Sequence, residues 1–406
     1  MKNPKNTPIF DKCYAFNEAE EARANGLYPF FKPISRSEGT KVYIDGREML
    51  MFGSNNYLGL ANDPRLIEAA EIALERYGTS CSGSRFMNGT LDIHEEFEAQ
   101  LAQFVGKEAA LCFTTGYQTN LGSLFAILGR QEHVLVDKYD HASIMDGIFL
   151  AEGSKRDIKL HRFKHNSVND LERELSRIGL DEPKIIVLDG VFSMEGDIAL
   201  LPEIKELADA YKAAIYLDEA HAIGVIGSTG RGTCEHFGNR SELCDLLMCT
   251  FSKSFGSIGG FVAGHAKVID YIKHFARPLI FSASMPPANL AAAMRALQII
   301  QEEPQRVATL QHNAKRMAKG FAAVGFNIGA TETPIVPLVI GDNEKTFLLW
   351  KACFEKGVYV NPVISPAVPP QRALLRTSCM AIHSDDEIDM AIEIIGTSAR
   401  KLGIID

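Results

Sequence analysis

Short apolar runs recur along most of the chain, and most end in a polar residue or a glycine. They are "AALCFTTG", "HVLVDKYDH", "IKLHRF", "KIIVLDGVFSMEG", "AIYLDEAH", "LLMCTFSK" and "GGFVAG". Runs this short and continuously apolar fit strands buried on both faces of a sheet. Between several of them lie stretches with apolar residues at helical spacing. In "LPEIKELADAYK" these are Leu201, Ile204, Leu207, Ala208 and Tyr211. The alternation predicts a mostly parallel, doubly wound α/β sheet over residues 61–290. Ligands on such sheets bind beyond the carboxyl ends of the strands. The polar residues that close each run are therefore the candidates for a site.

The flanks read differently. Residues 1–60 form an N-terminal arm with a helix over about 10–25 and the turn-like "GLYPFFKPI". The arm continues with a hairpin, "KVYIDGREMLMF", turning at Asp45-Gly46, and ends in "GSNNYLGL". Residues 291–406 mix helices such as "KTFLLWKACFEKG" with strand-like runs, "PIVPLVIGD", "GVYVNPV" and "ALLRTSCM". They predict a smaller C-terminal α+β domain.

Composition adds exclusions. The 406 residues are 46% hydrophobic and carry a net charge of −9, so the basic footprint of a nucleic-acid binder is absent. The polar, acidic start lacks the apolar core of a secretory signal, and no apolar run is long enough for a membrane-spanning helix. Eight scattered cysteines without a CxxC pair point to reduced, mostly buried thiols, no metal site and a cytoplasmic location.

The run-closing residues carry the chemistry. Asp218 ends "AIYLD", with His221 three positions on; such an acid is either a salt-bridge or capping residue or a partner for a cationic ring nitrogen. His141 in "DHAS" is either a satisfied structural histidine or a ring-stacking acid–base group. Gly116 and Tyr117 follow a strand where a helix N-terminus would meet a phosphate. The loop "GTSCSGSRFMNGT" fails the phosphate-loop pattern and reads as an ordered loop near a substrate. Lys253 lies between Thr250, Ser252 and a glycine cluster; in a dry crevice its amine would be nucleophilic and hold an aldehyde as an imine. Together these parts suit pyridoxal phosphate (PLP).

The set "TTGYQTN", "DHAS", "GVFSMEGD", "DEAHAIGVIGSTGRG", "TFSKSFGSIGG", "FSASMPP" and "LLRTS", in this order, resembles the α-oxoamine synthase family of PLP enzymes, from about Gly26 onward. The resemblance implies the aspartate-aminotransferase-like fold (PLP fold type I). It implies Lys253 as cofactor anchor and base, Asp218 on the pyridinium nitrogen, and His141 stacked on the ring as a candidate acid. His221 and Ser193 would lie near the phenolic oxygen. Gly116, Tyr117, Thr250 and Ser252 would hold the phosphate. Ser282 would reach the cofactor of a second subunit, which implies a homodimer. Arg376 would bind the amino-acid carboxylate, with Asn56 near the substrate.

Within the family, "GLYPFFKPI", "LMFGSNNYLGL" and "CSGSRFMNGTLDIHEEFE" look most like the bacterial branch that joins L-serine to a long-chain acyl-CoA, commonly palmitoyl-CoA. That branch makes 3-oxosphinganine, CoA and CO₂. The alternatives are branches making 8-amino-7-oxononanoate, 2-amino-3-oxobutyrate or autoinducer-type amino ketones, or a catalytically silent partner subunit. "LYPFF" and "NPVISPAVPP" are candidates for an acyl tunnel, and "LYPFF" also for weak contact with a membrane surface.

Overall fold

The computed structural model describes residues 7–154 and 156–406; the first six residues of the arm lie outside these. The arm contributes β1 (Arg36–Glu38), β2 (Lys41–Ile44) and β3 (Arg47–Met51), paired antiparallel. The β2–β3 hairpin turns at Asp45 (φ 51°) and Gly46 (φ 74°), as anticipated. Two successive positive φ values are the demand of a two-residue turn that matches strand twist.

The main sheet contains β4 (Ala109–Phe113), β5 (His133–Asp137), β6 (Lys159–Phe163), β7 (Lys184–Asp189), β8 (Ala214–Asp218), β9 (Leu246–Thr250) and β10 (Gly260–Gly264). Its order is β4-β10-β9-β8-β7-β5-β6, and every pair except those of β10 is parallel. Alternate residues feed two cores. Leu135, Ile186, Leu217 and Leu247 face one, while Val136, Val187, Tyr216 and Met248 face the other. A sheet buried on both faces explains why most of these runs are apolar throughout rather than alternating; β6, at the sheet edge, is half exposed and mixed.

The C-terminal region forms β11 (Ile335–Val339), β12 (Val358–Tyr359), β13 (Asn361–Val363) and β14 (Leu374–Ser378). A second sheet has the order β11-β14-β13. The run "GVYVNPV" is not one strand. β12 leaves to pair in parallel with β3 of the arm, and β13 lies at the edge of the small sheet. An edge position suits Pro362, which has no N–H for a second neighbour. The expected arm helix is also divided, into Asp11–Tyr14 and Glu18–Ala24. Glu18, Glu20 and Glu21 favour a helix start at that point. Neither piece buries a residue that would fuse the two.

Among the described residues no helix is long and apolar enough to cross a membrane. Phe30 and Phe31 of "LYPFF" are exposed, whereas Pro29 is buried.

Candidate active site

The parallel strands end at one edge of the sheet, and there a cavity of about 320 Å³ opens. β8 delivers Asp218 to it, with His221 from the turn beyond. β9 delivers Thr250, followed by Ser252 and Lys253. The turn after β5 delivers His141, and the helix after β4 delivers Gly116 and Tyr117. Eight sequence-level candidates thus share one wall-to-wall space.

Asp218 is 4% exposed. Its Oδ2 accepts from Asn120 Nδ2 at 2.6 Å and its Oδ1 from the Ala220 N–H at 2.9 Å. Tyr216 donates to Asn120 Oδ1 at 2.9 Å, which leaves the amide nitrogen facing the acid. Asn120 Nδ2 also donates to Ser143 Oγ at 2.9 Å, and that hydroxyl lies 2.7 Å from His141 Nδ1. His141 Nδ1 further accepts the Ser143 N–H at 3.3 Å, capping the helix Ala142–Gly153. With Nδ1 accepting, the ring proton sits on Nε2. Packing around the ring lowers its pKa, opposed by Asp218. His141 therefore serves as both a cap and a cavity wall.

His221 is buried, with Nδ1 2.8 Å from the Tyr57 hydroxyl. The Tyr57 hydroxyl also accepts from Arg376 Nη2 at 3.3 Å and donates to Asn55 Oδ1 at 3.2 Å. Burial, then Lys253 and Arg376, hold His221 well below its ordinary pKa. Burial likewise pushes the Lys253 amine down to about 8, against the pull of Asp218 and Asp189.

At the other end, Thr115 caps the helix Gly116–Ile127 by accepting from the Gln118 N–H at 3.1 Å. The N–H groups of Gly116 and Tyr117, in its first turn, have no partner within the helix. A Cβ on Gly116 would lie 2.5 Å from Thr250 Cβ and Oγ1, so only glycine fits there. Thr250 Oγ1 meets Ser252 Oγ at 2.8 Å and donates to Gly259 O at 3.1 Å. Gly256 (φ 61°) and Gly259 (φ 122°) carry the chain around this cradle. The Tyr117 phenol itself bonds Asp146.

Four candidates lie outside this cavity. Arg376, 5% exposed, donates from Nε to the Ser193 carbonyl at 2.7 Å. Ser193 thus holds the arginine through its backbone, and it lines a neighbouring cavity of about 660 Å³ that also borders His141. Residues 365–370 of the proline-rich loop line that second cavity, and "LYPFF" does not. Asn56 Oδ1 accepts the Ala61 N–H at 3.2 Å within its own turn. Ser282 Oγ accepts from Gln118 Nε2 at 3.3 Å, in a segment tied to the strand end by Thr114 Oγ1 and the Ala283 carbonyl at 2.6 Å. The loop 78–90 does not line the cofactor-sized cavity. Its Arg85 is buried in a two-pronged pair with Glu98 at 2.7 and 3.2 Å. Ala222 belongs to the core and lines neither cavity.

Sequence reasoning missed Asn120, Ser143, Tyr57 and Asp189.

The cavity fits PLP on its own chemistry. A walled-in amine stands within reach of a buried carboxylate that has only neutral donors bonded to it. Opposite, unpaired N–H groups and two hydroxyls form an anion cradle. Among the described residues no cluster suited to a metal ion is present.

Comparison with known proteins agrees. The family model "Aminotransferase class I and II" matches residues 47–395. Serine palmitoyltransferase of Sphingobacterium spiritivorum is 52% identical over 385 residues, 95% of each chain. The 8-amino-7-oxononanoate synthase of Bacillus pumilus is 40% identical over 393 residues, 97% of this chain and 99% of the other. A solved structure of SPT with PLP as internal aldimine superposes with a TM-score of 0.92 at 35% identity, covering 98% of this chain and 99% of that one. The chain therefore belongs to the aminotransferase class I and II family and, within it, to the α-oxoamine synthases.

Proposed function

We propose that this chain is a PLP-dependent serine C-palmitoyltransferase. In this reading it condenses L-serine with a long-chain acyl-CoA, taking up one proton and releasing CoA, CO₂ and 3-oxosphinganine. The observation that carries it is the convergence of Lys253, Asp218 and the Gly116 cradle on one cavity, in a chain 52% identical to a serine palmitoyltransferase. The same convergence argues against a catalytically silent subunit. The lower identity to 8-amino-7-oxononanoate synthase argues against that branch.

PLP, when bound, supplies an aldehyde for the amino group and an electron sink for charge developing at the α-carbon. Lys253 would anchor the cofactor at rest, and with its pKa brought down to about 8 its freed amine would take the serine α-proton far more readily than an ordinary lysine. Asp218 holds a proton on the ring nitrogen. The Gly116 and Tyr117 N–H groups, with Thr250 and Ser252, bind the phosphate. His141, which borders both cavities, would stack on the cofactor ring and offer its Nε2–H to the thioester carbonyl. His221, with Ser193, would lie near the phenolic oxygen of the bound cofactor. Arg376 binds the serine carboxylate, with Asn56 close by. Holding both substrates in adjoining cavities supplies much of the rate.

Ser282 completes the phosphate site of a second copy, so we assign a homodimer. We divide the chain as arm 1–60, large domain 61–290 and small domain 291–406. We place it in the cytoplasm, where eight unpaired thiols stay reduced. Free-CoA release across a panel of amino acids and acyl lengths tests the assignment. Serine with long chains is expected to turn over fastest; faster turnover of glycine or alanine with short chains would reject it.

A further inference from the structure

Asp189 ends β7 as Asp218 ends β8, and the two are Cα partners in the parallel ladder. Paired residues on neighbouring strands project to the same side of a sheet. Both carboxyls line the same cavity, at 3% and 4% exposure. Their surroundings differ. Asp218 accepts from the Asn120 amide at 2.6 Å and the Ala220 N–H at 2.9 Å. Among the described residues, the Asp189 carboxyl receives only the His141 N–H, at 3.5 Å. Two like charges in one buried site are costly to hold together. The carboxyl with two short donors keeps the charge, and its neighbour is better neutral.

We propose that Asp189 is the proton-bearing member of this carboxyl pair and sets the charge facing Lys253 at a single negative unit. The proposal rests on Lys253 and Asp218 forming the cofactor site, and it gives Asp189 a tuning task that site does not otherwise assign. With one anion opposite, burial of Lys253 dominates and the amine sheds its proton near pH 8 rather than 10.5. With two, the lysine would stay an ammonium ion far longer and could not act as a base.

Every charged neighbour bears on this balance. Asp218 faces Asp189 from β8 and Lys253 from beyond β9, while Asp137 ends β5 and Asp140 and His141 follow it. Burial pushes Asp189 well above the carboxylate range. Asp218 and Asp137 add to the rise, and Lys253 and the His141 N–H oppose it. Asp137 is itself paired with His165 at 3.1 Å. Asp140 is the rival proton carrier. It too is pushed well up by burial, and it accepts from the N–H groups of Asp137 at 2.8 Å and Asp189 at 3.1 Å.

The test combines infrared spectroscopy with titration of the holoenzyme. At pH 8, above the value of about 7 at which buried Glu219 titrates, wild type is expected to show a protonated-carboxyl C=O band that shifts in D₂O. Asp189→Asn is expected to remove that band. It is also expected to leave the midpoint of the cofactor's pH-dependent absorbance within about half a unit, since a neutral group replaces a neutral group. A midpoint lowered by about one unit or more would mean that Asp189 was an anion, and would overturn the proposal. So would a band that survives Asp189→Asn but disappears in Asp140→Asn. If Asp189→Asn does not fold, wild type still decides: no exchangeable carboxyl band at pH 8 overturns the proposal without a variant. A purified protein that takes up no PLP defeats the functional reading instead, and is told apart by its missing visible band.

Discussion

The Tyr57 hydroxyl stands 2.8 Å from His221 Nδ1 while accepting from Arg376 at 3.3 Å. Tyr57 thus links the arginine of the C-terminal sheet to a histidine of the main cavity, and its hydroxyl also donates to Asn55 Oδ1 at 3.2 Å. Tyr57→Phe removes all three bonds in a fully buried place. Leaving buried polar groups unpaired costs about 1–3 kcal/mol, so serine affinity is expected to weaken about tenfold or more. The serine-dependent change in cofactor absorbance measures it. Unchanged affinity would mean that the Arg376–Tyr57–His221 chain does not serve the substrate.

Lys253 makes the folded protein less stable when it is charged. Its pKa falls from 10.5 to about 8 on folding, so the unfolded chain binds more protons between those values and stability rises with pH there. The penalty is fully present below pH 8 and gone above 10.5. In cofactor-free protein at pH 7, Lys253→Met is expected to gain about 3 kcal/mol over wild type, with the gain shrinking as pH rises through that window. Urea unfolding at several pH values checks this; a gain that does not change with pH would contradict it.

His165 has the opposite sign. It bridges Asp137 and Asp197 at 3.1 Å each, and these carboxylates raise its pKa to about 10 despite burial. Its stabilising contribution is full below its ordinary 6.5 and is lost as pH rises through 10. His165→Gln leaves the buried Asp137 and the half-buried Asp197 without their cation, a loss on the order of 3 kcal/mol. The difference in Tm from wild type is expected to be largest near pH 6 and to close in alkali. A constant difference would mean that packing, not charge, is what His165 supplies.

Gly116 tests the phosphate cradle. Alanine is the better helix former, yet its Cβ would meet Thr250 at 2.5 Å. Gly116→Ala is expected to weaken PLP binding about tenfold or more while far-UV circular dichroism stays unchanged. Wild-type affinity for PLP would place the phosphate elsewhere.

The legible part of this molecule was the part set by periodicity and local turn chemistry. All seven runs from "AALCF" to "GGFVAG" are strands, and for all but the half-exposed edge strand β6 burial on both faces writes itself as continuous apolar sequence. Asp45-Gly46 announced its hairpin for the same local reason. What stayed hidden depends on long-range partners. Nothing near Tyr57 says that Arg376 and His221 will meet it, and nothing near Arg85 says that Glu98 will claim it. Asp189 looked like one more strand-end residue until the β7–β8 register set it beside Asp218. "GVYVNPV" read as one strand because a sequence does not show that its two halves join different sheets.

The most direct measurement follows carbon and sulfur together. Purified protein with PLP receives L-serine labelled at the carboxyl carbon and palmitoyl-CoA, and labelled CO₂, free CoA and the organic product are quantified. Equal amounts of all three are expected, with the product at the mass of 3-oxosphinganine and no turnover in Lys253→Ala. Free CoA without labelled CO₂, or faster condensation of alanine than of serine, would contradict the assignment.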